Sequence, residues 1–77
     1  MPEISIPVTG NEIAAPWQFA QAVEWLEVAD KTITKISYPH GFAVVLGIAE
    51  HQGAARYRGH PCEGNHDAPY KIVIEYD

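Results

Sequence analysis

His60, Cys62 and His66 stand in one short segment, His60-Pro61-Cys62-Glu63-Gly64-Asn65-His66-Asp67, where side chains able to do chemistry are densest. Imidazole and thiolate are good zinc ligands, and a tetrahedral site takes four donors. His60, Cys62 and His66 would supply three, and Asp67, His40 or His51 a fourth. The spacing H-x-C-x3-H is not a zinc-finger spacing, and the paired C-x2-C that marks structural zinc is absent. The competing interpretation is a polar surface loop with solvated histidines. The same residues suggest a cysteine nucleophile with a histidine base. No third orienting group, nucleophile elbow or oxyanion hole accompanies them. Phosphate-binding loops, dinucleotide fingerprints and metalloprotease motifs are also missing. The expectation is a protein that is not an enzyme and needs no cofactor, with metal binding at His60, Cys62 and His66 kept as an alternative.

The charges are the second source of chemistry. Ten acids face five bases, for a formal net charge of −5. Glu12, Glu24, Glu27 and Asp30 belong to or flank one helical segment, in which Trp17, Gln21 and Val28 are expected on the same outer face. Aromatic anchors ringed by charge are the usual make-up of a protein-binding patch. The competing interpretation has Trp17 folding back over the core, since tryptophan is rarely left fully exposed. On the strands, Lys35, Arg56, Arg58, His60 and Lys71 are expected on the sheet face away from the helix. Arginine forks suit phosphate. Single-strand RNA binders add stacking aromatics to such a face, whereas the tyrosines here are expected inward and Glu75 sits among the bases. A solvated face is the plainer expectation, and the overall acidity argues against direct nucleic-acid binding.

These groups need elements to hold them. Seventy-seven residues allow a single small domain, residues 1–77, and 47% hydrophobic content is that of a globular chain. Ile4, Ile6 and Val8 alternate with Ser5 and Pro7, and Pro7 puts that strand at a sheet edge. Pro16 suits the first turn of a helix to about Asp30, with Phe19, Ala22, Val23, Leu26 and Ala29 on its apolar face and Trp25 at the border. Strands are expected at Thr32–Tyr38, Phe42–Glu50, Ala54–Gly59 and Tyr70–Asp77, with an irregular loop from Gly59 to Pro69. The pattern predicts an α+β domain of two layers, one amphipathic helix packed on a four- to five-stranded antiparallel sheet in the order β-α-β-β-β-β, joined as a meander.

The lone Cys62 cannot close an internal disulfide, which points to a cytoplasmic protein. The start carries neither a basic n-region nor a long apolar run, and no stretch is long enough to span a membrane. Taken together, these features predict a small acidic inhibitor or adaptor. Its partner would be a protein with a basic surface, most naturally a nucleic-acid-handling complex, and a phage-encoded anti-CRISPR-type protein is the concrete case. Trp17, Gln21, Glu24, Glu27 and Asp30 would make the contact. Homodimerisation through the first or last strand is an added possibility.

Overall fold

The structure is a computed structural model that describes residues 2–65 and 70–77. In chain order its elements are β1 (Glu3–Pro7), α1 (Ala15–Val28), β2 (Ile33–Pro39), α2 (Ala43–Leu46), β3 (Ala49–His51), β4 (Ala54–Tyr57), β5 (His60–Asn65) and β6 (Lys71–Tyr76). One main helix lies on a mostly antiparallel sheet, giving the expected α+β class with six strands rather than four or five. Among the described residues no helix is long and apolar enough to cross a membrane.

The sheet order is β1-β6-β2-β5-β4-β3. Only β3, β4 and β5 form a meander. β6 inserts between β1 and β2, and β2 pairs with β5 in parallel. The expected all-antiparallel meander is therefore corrected. The last strand, being internal, offers no edge to a second copy. β1 is an edge, in keeping with Pro7.

The apolar face of α1 buries Ala15, Phe19, Val23 and Leu26. They meet Ile36 and Tyr38 of β2, Ile72 and Ile74 of β6 and Ile6 of β1 in one core. Ala29, expected on that face, lies past the helix end and is exposed. The helix closes as a Schellman motif. Asp30, at φ 60°, donates its N–H to the Glu27 carbonyl, and Lys31 donates to that of Leu26.

The second correction concerns Phe42–Glu50. Its first half is the short helix α2, with Ala43 and Leu46 buried and Val44 89% exposed. Gly47, at φ 77°, ends it: Gly47 N–H bonds the Val44 carbonyl, and Ile48 N–H bonds that of Ala43. Glycine here is a helix stop rather than an interruption in a strand, and the apolar run suits a buried helical turn as well as a strand.

The third correction concerns the loop expected from Gly59. Residues His60–Asn65 form β5, between β2 and β4. Two hairpins build this half of the sheet. Gln52-Gly53 joins β3 to β4 and Arg58-Gly59 joins β4 to β5, with all four residues at positive φ, as a type I′ turn demands.

Candidate protein-binding face

Helix α1 carries the candidate surface because its sequence is amphipathic in an unusual way. Opposite the buried stripe lie Trp17, Gln21, Trp25 and Val28, which at 100° per residue share an arc of roughly 80°. None is covered: Trp17 is 64% exposed, Trp25 62% and Val28 81%. The two indoles are eight residues apart, about 12 Å along the axis at 1.5 Å per residue. Ile13, just before the helix, is also exposed. Singly exposed apolar side chains are ordinary, but a row with two tryptophans is a contiguous exposed apolar patch, and it is the candidate surface of this chain.

The same segment holds acids without compensating bases. Between residues 12 and 30 stand Glu12, Glu24, Glu27 and Asp30, and no lysine, arginine or histidine. These four differ in availability. Glu24 and Asp30 are exposed. Glu12 turns its carboxylate back to accept the Gly10 N–H at 2.8 and 3.1 Å. Glu27 is occupied within the fold: Oε2 lies 2.7 Å from His60 Nε2, and Oε1 lies 3.1 Å from a terminal guanidinium nitrogen of Arg58.

Between α1 and β1 the surface is grooved, with a volume of about 690 Å³. The sheet wall runs from Ile4 to Pro7. Ala22, Trp25 and Val28 form the apolar part of the helix wall, with Gln18, Gln21 and Glu24 beside them. Asn11 ties the two walls together: its Nδ2 donates to the Pro7 carbonyl at 2.9 Å and to Gln18 Oε1 at 2.8 Å. Among the described residues that line this groove Glu24 is the single charged one, and sequence periodicity missed the groove because it depends on how far α1 stands from the sheet edge.

The bases do not gather as the strand pattern suggested. Cross-strand register puts Lys35, Arg56 and Lys71 on the outer face, together with Glu3, Glu63 and Glu75. Lys35 Nζ lies 3.1 Å from Glu63 Oε2, and Glu75 stands directly opposite Lys35. Arg58 and His60 turn to the helix side, toward Glu27. Three bases interleaved with three acids give phosphate no concentrated field.

His60 and Cys62 do share a face of β5, the inner one. Cys62 Sγ donates to the His60 carbonyl at 3.5 Å, and His60 is engaged by Glu27. His66 and Asp67 lie outside the described residues. No group of three histidine, cysteine or acidic side chains suited to a metal occurs among the described residues. Burial pushes the Cys62 thiol up to about 11, so near neutral pH it is protonated and a poor nucleophile.

A second depression, about 430 Å³, lies over the other end of the sheet near Tyr38, Glu50 and Cys62. The Tyr38 hydroxyl donates to Glu50 Oε2 at 2.6 Å. Burial and that carboxylate raise the phenol to about 12. The ring reaches β3 from β2 because the intervening positions, Gly64 on β5 and Ala55 on β4, are small.

No protein-family model, no curated protein and no solved structure matches this chain.

Proposed function

We propose that this chain is a protein-binding inhibitor or adaptor and not an enzyme, which docks the tryptophan face of α1 on a basic surface of its partner. The observation that supports it is the pairing of Trp17 and Trp25, both mostly exposed on one helical face, within a segment that carries acids and no bases. Tryptophans anchor such interfaces by filling apolar pockets on the partner, and the acids steer the encounter. Glu24 is the free acid beside the indoles, so it carries the specific charge contact, with Asp30 at the helix end. Basic surfaces of this kind belong largely to complexes that handle nucleic acid. Occupying one would block it, as a phage-encoded inhibitor of a CRISPR effector complex does. A reducing cytoplasm, where Cys62 stays a thiol, fits this role.

The test is capture of a partner from host lysate on the parent chain, on the Trp17→Ala/Trp25→Ala double variant and on Glu24→Lys. One stoichiometric partner, lost on both variants while their thermal unfolding matches the parent, is the expected result. Truncating an anchoring tryptophan costs about 2 kcal/mol or more, roughly thirtyfold in affinity. A partner retained equally by all three baits would put the interface elsewhere.

A further inference from the structure

Among the described residues β1 has one strand neighbour, β6, and its other edge is open. The hydrogen-bond phase decides which backbone groups face outward. Val8 N–H donates to the Tyr70 carbonyl and Tyr76 N–H to that of Pro2, so residues 2, 4, 6 and 8 turn their backbone groups toward β6. Glu3, Ser5 and Pro7 face the open side. Pro7 has no N–H, and its carbonyl is taken by Asn11. Glu3 and Ser5 remain, each offering a donor and an acceptor in strand geometry. Edge strands are usually blunted by lysine, proline or a covering segment. Here only the Pro7 end is blunted, and a groove lies alongside the rest.

We infer that the open edge of β1 accepts an extended lysine- or arginine-bearing segment of the partner as a seventh strand, whose inward side chains occupy the groove between β1 and α1. The inference rests on the proposed function and specifies how the partner is held. An added strand would lie about 4.8 Å from β1 and alternate its side chains between the two sheet faces. On the helix side they meet Ala22, Trp25, Val28 and the Glu24 carboxylate. On the outer side they meet Glu3, which already stands opposite Glu75. An acid on each face selects a basic occupant. A second copy of this chain fits poorly. It carries the same net charge of −5, and two β1 strands paired antiparallel about Ser5 would set Glu3 against Pro7, which has no N–H to donate.

The test uses two acetylated heptapeptides, one alternating valine with lysine and one alternating valine with glutamate, titrated into the full ¹⁵N-labelled chain. The lysine peptide is expected to shift the Glu3 and Ser5 amides and slow their exchange, and to change Trp25 emission in a Trp17→Phe background. The glutamate peptide is expected to bind at least about tenfold more weakly. Ser5→Pro removes an outward N–H without removing a β1–β6 bond and should abolish the effect. Glu24→Lys, which leaves the strand untouched, should weaken it and keeps the test decisive if Ser5→Pro unfolds. Unshifted Glu3 and Ser5 amides overturn the inference, and so does a parent chain that sediments as a dimer dispersed by Ser5→Pro. With the captured partner, loss on Trp17→Ala but not on Ser5→Pro sinks strand addition and leaves the helix-face reading standing. Loss on neither sinks both.

Discussion

Glu27 Oε2 sits 2.7 Å from His60 Nε2, joining α1 to the first residue of β5. The same carboxylate holds Arg58 of the β4–β5 turn at 3.1 Å. One acid of the helix thus fastens that helix to the far hairpin, while Glu24, three residues earlier, stays exposed. Their roles should separate on mutation.

Glu27→Ala removes a part-exposed carboxylate from its two partners, Arg58 and His60, so a loss of about 1 kcal/mol is expected. For a domain this small, that lowers the melting temperature by roughly 4–8 °C. Glu24→Lys should leave melting within a degree or two and weaken partner capture. Thermal unfolding of the two variants side by side checks the division. Equal melting temperatures would remove Glu27 from its structural role.

Both tryptophans are expected to report solvent in the native state. Native emission should lie close to that of the denatured chain, and acrylamide should quench Trp17→Phe and Trp25→Phe variants to similar extents. A native spectrum shifted strongly to short wavelength would mean that one indole is covered, by the core or by a second copy.

Asp30 occupies the left-handed conformation that ends α1, at φ 60°. It also puts a negative charge at the negative end of the helix dipole. Asp30→Gly should stabilise by about 0.5–1 kcal/mol. Asp30→Val should destabilise, because a β-branched residue resists positive φ. The order glycine, aspartate, valine in denaturant midpoint checks the backbone geometry.

Two raised pKa values set the alkaline limit. Cys62 goes from 9.0 to about 11 in the fold and Tyr38 from 10.0 to about 12, each chiefly through burial. The unfolded chain ionises these groups first, so the stability these two groups contribute is present below pH 9 and is lost as pH rises to about 12. Cys62→Ala should remove the lower part of that loss and Tyr38→Phe the upper part. Alkylation of Cys62 at pH 8 should be slower than that of an exposed thiol by tens-fold, on the order of the drop in thiolate fraction.

The amphipathic helix, the edge position of β1 and the α+β class were legible in the sequence. They follow from local rules: Phe19, Val23 and Leu26 recur at helical spacing, and Pro7 cannot sit in a central strand. Residues 42–50 were not legible, because an eight-residue apolar run suits strand and buried helix alike and Gly47 reads as either a weak strand position or a helix stop. β5 was masked by Pro61 and Gly64, although Arg58-Gly59 repeats the turn chemistry of Gln52-Gly53 a few residues earlier.

What the sequence determined alone is the inventory of surfaces: an acidic helix with Trp17 opposite its apolar stripe and Trp25 at the border of that stripe, and a lone cysteine. Tertiary structure decided which of those groups are free. The insertion of β6 beside β1, and the parallel pairing of β2 with β5, rest on contacts between residues far apart in the chain, which no local pattern encodes. That arrangement swings Arg58 and His60 under the helix to take up Glu27. It leaves Glu24, Trp17 and Trp25 open to solvent, and it sets the open edge of β1 beside them.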